Sequence, residues 1–334
     1  MKKKLLLMCS LFLGMMAFVA CDDDDKDSIS ELEKNYFSIE NATFKGGSIP
    51  AATTTNTIQG LSINNRALSG GMNFITIISP TQYKKFFVGA KNVDGYWEYR
   101  PATTRANVGT TGEYVTYTIP VMYSTEFSHN ITMIISGVDE DDDVTQPYEA
   151  EITYVDSESG DLNINLTFSN AKDVDLHLYT PSDEHIYYNN RGGSVQTTDG
   201  KTVSYGLDHD SNADCDIDNL NNENIYIPAE LIESGTYRVV VDMYSNCDRS
   251  TATNWSIVAR YKGEVVRVTS GSNPATGVYP VGAGDDDMTT VMTFKLSGTR
   301  AGGLAIVPGS FEPAWLSDRD QMKYEDLLYR RSQR

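Results

Sequence analysis

The chain holds 334 residues, 40% of them apolar, with 27 basic against 46 acidic side chains and a formal net charge of −19. That length and apolar share suit two packed domains of ordinary size. So large an acid excess repels phosphate backbones and anionic headgroups, which excludes nucleic acid from the expected partners.

Lys2, Lys3 and Lys4 precede an apolar run from Leu5 to Val19, the order of n-region and h-region in a secretory signal. The run falls short of the about 20 residues needed to span a bilayer as a helix. It closes on Phe18-Val19-Ala20-Cys21, which resembles a bacterial lipobox with Phe18 where leucine is usual. Residues 1–20 are therefore expected to be a lipoprotein signal peptide, and Cys21 the lipidated first residue of a chain anchored in an outer membrane. Cleavage would leave 24 basic and 46 acidic side chains, a net −22. The run Asp22-Asp23-Asp24-Asp25-Lys26-Asp27 must stay solvated. It resembles the export signal of Bacteroidota surface lipoproteins, which implies an anchor facing the cell exterior; a plain acidic tether is the alternative. Residues 21–35 read as that tether.

From Tyr36 onward, short segments rich in Ile, Val, Tyr, Phe and Thr are broken by Gly, Pro, Asn or Asp every eight to twelve or so residues, the rhythm of an all-β sandwich. Strands are predicted at Ile58 to Ile63, Asn73 to Ile78, Lys85 to Val88, Tyr114 to Ile119, Asn130 to Ser136 and Tyr148 to Tyr154. Gly70-Gly71, Pro80, Gly109, Pro120 and the acidic loop Asp139 to Asp143 read as breakers. Residues 36–156 thus form a first sandwich of Ig-like or jelly-roll-like kind. Within it Tyr96, Trp97 and Tyr99 cluster after Gly95. Exposed, they could stack on sugar rings and serve a glycan-binding accessory protein of a polysaccharide uptake system; aromatics on strands are more often core.

Residues 160–300 read as a second sandwich, with strands at Leu162 to Phe168, Val174 to Tyr179, Ile186 to Tyr188, Val203 to Leu207, Tyr237 to Tyr244, Trp255 to Tyr261, Val265 to Thr269 and Thr290 to Leu296. Alternation places Tyr237, Val239, Val241 and Met243 on one face. Residues 301–334 form a charged tail in which Met322, Leu327 and Leu328 are spaced for one side of a short helix over Ser317 to Arg334.

The stretch that carries chemistry begins at Asp173-Val174-Asp175-Leu176-His177-Leu178. On a strand, Val174, Leu176 and Leu178 enter the core while Asp173, Asp175 and His177 point the other way. Asp208, Asp210, Asp214, Asp216, Asp218 and Glu223 follow downstream. If these segments meet, their carboxylates share one small volume, where repulsion either raises pKa values or calls for a cation. Calcium fits best, because it takes six to eight oxygen ligands and tolerates irregular geometry, whereas zinc wants His or Cys. Asp214, Asp216, Asp218 and Asn219 resemble the first half of a calcium loop, with Asn219 in the left-handed position usually given to Gly. No acid completes the loop at its twelfth position. The bland alternative is a solvated acidic surface.

Cys9 leaves with the signal and Cys21 takes the lipid, so Cys215 and Cys247 remain as a pair expected to form a disulfide outside the cytoplasm. Such a closure of about 32 residues contributes roughly 3 to 4 kcal/mol in the chain-entropy model.

Asp173-Val-Asp-Leu-His177, Pro181, Leu207-Asp-x-Asp210, Glu223-Asn224-Ile225 and Gly235-Thr236-Tyr237 together resemble the signature of the YfaP-like domain, a bacterial exported β-sandwich without assigned activity. The likeness runs from about Gly160 to Tyr261 and departs at Asn221-Asn222, where that family has Gly-Pro. It implies a sandwich and no reaction. No nucleophile elbow, His-Glu-x-x-His or phosphate loop occurs. A hydrolytic pair of His177 and His209 beside their aspartates is conceivable, yet a histidine bonded to a neighbouring acid is usually structural. The expectation is a non-enzymatic binding or adhesion module.

Overall fold

The computed structural model describes residues 29–101, 114–297 and 310–313. The expected signal peptide, Cys21, the acidic run that follows it and the helix over Ser317 to Arg334 lie outside the described residues. Among those described, no helix is long and apolar enough to cross a membrane.

The chain is all-β, and the strands among the described residues form four sheets. A four-stranded sheet has the order β1 (Phe37–Ile39), β8 (Val115–Tyr123), β5 (Met72–Ser79) and β3 (Leu61–Ile63). A six-stranded sheet runs β2 (Ala42–Lys45), β7 (Tyr96–Tyr99), β6 (Tyr83–Ala90), β9 (Ile131–Asp139), β10 (Tyr148–Val155) and β4 (Arg66–Leu68). Alternating residues from both sheets, among them Ile75, Ile77, Phe86, Val88, Ile119 and Ile135, fill one core.

The second half is built the same way around a separate core. Its larger sheet runs β19 (Glu264–Val265), β18 (Thr253–Tyr261), β11 (Leu162–Phe168), β16 (Asn222–Ile227), β15 (Thr202–His209), β14 (Gly192–Gln196) and β23 (Glu312–Pro313), with β21 (Ala275–Tyr279) also on β18. The facing sheet runs β13 (His185–Ile186), β12 (Asp173–Tyr179), β17 (Gly235–Ser245), β22 (Asp287–Leu296) and β20 (Val268–Gly271). Ladders between these strands are antiparallel throughout, except β10 with β4.

Several predicted boundaries move. Pro120, read as a breaker, sits inside β8 opposite Phe74, one residue short of the stretch that pairs with β1; proline is tolerated in a strand where pairing on one side stops. The expected tether also ends earlier than Asn35. Glu31–Asn35 form a helical turn, with the Ser30 side chain accepting from Glu33 N and Leu32 fully buried against the first core. Strands β14 and β21 carry too few consecutive apolar residues to stand out in the sequence, and β16, with Ile225, Tyr226 and Ile227, is missing from the predicted strands.

The two halves touch through polar contacts. Ser256 Oγ donates to Met72 O at 2.6 Å, and Arg260 Nε donates to Gly70 O at 2.9 Å. The segment joining them is fastened as well: Glu158 N donates to Asp208 Oδ2 at 2.6 Å, and Asn224 Nδ2 to Glu158 O at 2.9 Å.

Candidate metal centre

Strand β12 is apolar on one face only, yet it is buried on both. Val174, Leu176 and Leu178 enter the second core as their alternation dictates. On the other face Asp173, Asp175 and His177 are 0%, 1% and 3% exposed. The register explains part of this crowding, because Asp175 stands directly opposite Asp242 of β17, itself buried. Two carboxylates in directly opposed positions on neighbouring strands repel.

A third strand end adds to the group. β15 finishes at His209, and Asp210 follows; ligand oxygens of Asp173, Asp175 and Asp210 lie within 4.8 Å of one another. Glu223 arrives from inside the sandwich. It pairs with Leu166 in the β11–β16 ladder, so it shares a face with Ile225 and Ile227 of the core and is 1% exposed. Its Oε2 accepts from Leu176 N at 2.7 Å. Burial first, then the charge of Asp210, pushes the Glu223 carboxyl well above the ordinary range; the bond from Leu176 opposes this, and Asp173 reinforces it.

The segment after Asp210 wraps this group through one asparagine. Asn212 donates from Nδ2 to Lys172 O at 2.9 Å and to Asn221 Oδ1 at 2.8 Å, while its Oδ1 accepts from Asp218 N at 3.0 Å. Asp214 N donates to Asp173 Oδ2 at 2.7 Å. Asn212, Asp214, Cys215, Asn219 and Asn221 all take positive φ, between 52° and 62°, which Asn and Asp accept better than most residues. Asn219 thus adopts the left-handed backbone its place in the sequence suggested. The Cys215–Cys247 disulfide ties this wrap to the segment following β17.

The eight acids expected to share a site therefore divide. Asp173, Asp175 and Asp210 converge, with Glu223 beside them, and Asp214 touches the group through its backbone. Asp208 belongs elsewhere: its two oxygens take Glu158 N and Asn224 Nδ2, at the joint between the halves. Alternation along the chain treats Asp208 and Asp210 alike, and only the pairing of β15 with its neighbours separates them. Asp216 and Asp218 are exposed, and Asp218 Oδ1 serves the wrap itself by accepting from Ser211 Oγ and Leu220 N.

The histidines do not form a hydrolytic pair. His209 Nε2 contacts Asp156 O at 2.8 Å, whereas His177 Nδ1 lies 2.9 Å from His185 Nε2. His185 sits in a stack between Tyr179 and Tyr187, with ring centroids at 4.1 and 3.8 Å, and the Arg238 guanidinium covers the free face of Tyr179 at 3.6 Å. Burial, aided by Arg238, pushes His185 down to about 4. Asp242 and His185 escaped the sequence reading. The signal for Asp242 was there: it is the acid on the reverse face of a strand whose other face is Tyr237, Val239, Val241 and Met243.

The aromatic cluster of the first half is a correction. Trp97 is buried, donates its indole N–H to Phe37 O at 3.1 Å and meets Phe44 edge-on. Tyr96 packs on Phe87, and Tyr99 leans on the core and donates to Thr118 O. Successive side chains of β7 point to opposite faces, so the three rings cannot form one platform.

No family model matches this chain, and no curated protein matches it. Among solved structures, the C-terminal domain of the AgI/II polypeptide BspA from Streptococcus agalactiae aligns with 66% of this chain and 99% of that chain, at 9% identity and a TM-score of 0.19.

Proposed function

We propose that the protein is a non-enzymatic binding or adhesion module, held at the outer membrane by lipid on Cys21 and facing the cell exterior, whose second sandwich is stabilised by calcium. The observation that carries the calcium reading is the convergence of Asp173, Asp175 and Asp210, oxygens within 4.8 Å of one another, beside the buried Glu223. Like charges gathered out of water are costly unless paired with a cation. The three converging side chains offer oxygen alone, which suits calcium better than zinc, and His177 holds His185 with Nδ1 while its Nε2 lies 3.9 Å from Asp242 Oδ2. The acidic run after Cys21 and the likeness to the YfaP-like domain support the anchored, exported part of the reading.

Calorimetric titration of the EDTA-stripped protein with calcium tests the metal. One site per chain is expected, lost in Asp175→Asn and in Asp210→Asn and kept in Asp218→Asn. Absence of binding heat, together with a melting temperature indifferent to EDTA, would remove calcium from the reading. Palmitate labelling that disappears in Cys21→Ala tests the anchor separately.

A further inference from the structure

Just ahead of the carboxylates, Lys172 is 0% exposed, although lysine is rarely buried without an acid. It makes no ion pair among the described residues. Its Nζ instead donates to the side-chain Oδ1 of Asn246, also buried, at 2.7 Å.

Both partners are fixed in place. The Asn246 carboxamide donates from Nδ2 to Ala283 O at 2.9 Å, and its backbone N donates to Asp285 Oδ1 at 2.8 Å. On the other side, Lys172 N donates to Asn170 O and Lys172 O accepts from Asn212 Nδ2, both at 2.9 Å. A carbonyl oxygen is about 1.23 Å from its carbon, so the amine nitrogen lies within about 3.9 Å of Asn246 Cγ. Reacting atoms held near 3 to 3.5 Å and unable to rotate away gain much of the advantage of an intramolecular reaction.

We propose that Lys172 and Asn246 become joined by an intramolecular isopeptide bond. The Nζ ammonium gives up a proton, its freed lone pair attacks Cγ and the Nζ–Cγ bond forms. The Cγ–Nδ2 bond breaks with its electron pair staying on nitrogen, which takes that proton and a second one from Nζ and leaves as ammonium. Nothing is oxidised or reduced, and no co-reactant is consumed. The product is a neutral amide, which a dry site holds at less cost than an unpaired ammonium. It would fasten the entry of β12 to the exit of β17, next to the disulfide at Cys247.

Peptide mapping of the reduced and alkylated full chain decides the matter. Trypsin should fail to cut after Lys172, and the peptide ending at Arg191 should be found joined to Val239–Arg249 with the summed mass less one ammonia. Lys172→Arg and Asn246→Ala should each return separate peptides. The wild-type map stands on its own if either variant fails to fold: cleavage after Lys172, together with a free Val239–Arg249 peptide of unaltered mass, overturns the proposal. Calcium binding plays no part in the readout.

Discussion

In the first half of the molecule the buried polar side chains among the described residues are neutral: Asn64, Asn73, Ser79, Ser136 and Thr145. In the second half Lys172, Asp173, Asp175, His177, Glu223 and Asp242 are buried as well. Both halves close an apolar core between two sheets, so the fold alone does not require this difference. A sandwich gains nothing from sinking acids beside one another, and a cluster held against its own repulsion marks the place where something other than packing has shaped the sequence. The buried polar groups of the first half are neutral, while those of the second bring like charges together at one place between strands.

The largest blow to the comparison would come from the first core. Phe86→Ala removes a fully buried ring and should cost about 3 to 5 kcal/mol. In differential scanning calorimetry it should lower a transition that calcium does not move; if the calcium-sensitive transition falls equally, the halves do not melt as separate units. Next, Cys215→Ser with Cys247→Ser should cost roughly 3 to 4 kcal/mol, read by urea unfolding of the second half. A loss confined to the first half would sever the wrap from the acid group.

Calcium at about 100 times its dissociation constant should raise the stability of the second half by about 2.7 kcal/mol. Asp175→Asn should abolish that gain, as followed by thermal melting.

The smallest effect is the most diagnostic. Glu223 has its folded-state pKa raised, so it holds its proton more tightly folded than unfolded. Its contribution is complete below the ordinary value of 4.5 and is lost as pH rises through the raised value. His185 works in the opposite sense, its contribution present above 6.5 and lost as pH falls toward about 4. His185 acts alike with and without metal, so the difference between melting curves in calcium and in EDTA should widen as pH rises above 4.5. A constant difference would detach Glu223 from the site.

Much of this was legible in the residues. Leu162–Phe168 and the apolar alternation of Val174, Leu176 and Leu178 are visible because a strand with one dry face repeats every second residue. The same rule exposed Asp173 and Asp175 as neighbours on one face, and the two cysteines remaining once Cys9 and Cys21 were assigned to the expected signal and lipid pointed to their own bond. The rest was hidden for a physical reason. Which acids meet depends on the register between strands far apart in sequence, so nothing local separated Asp208, which faces the joint, from Asp210, two residues on. Asp242 was invisible as a neighbour of Asp175 until β17 was laid beside β12. Trp97 could be read either way, because an indole whose polar edge is satisfied by a backbone carbonyl in the core reads the same in sequence as one awaiting a sugar, and the structure gives the commoner, buried outcome.

One consequence concerns mechanics. The short connection between the halves is not slack: Asp208 grips Glu158 N, Asn224 grips Glu158 O, and His209 meets Asp156 O. Tension drawing the two sandwiches apart is therefore delivered to the end of β15, the same rung from which Asp210 reaches its fellow acids. Traction across the joint and the carboxylate cluster thus meet on one strand end, two residues apart at Asp208 and Asp210.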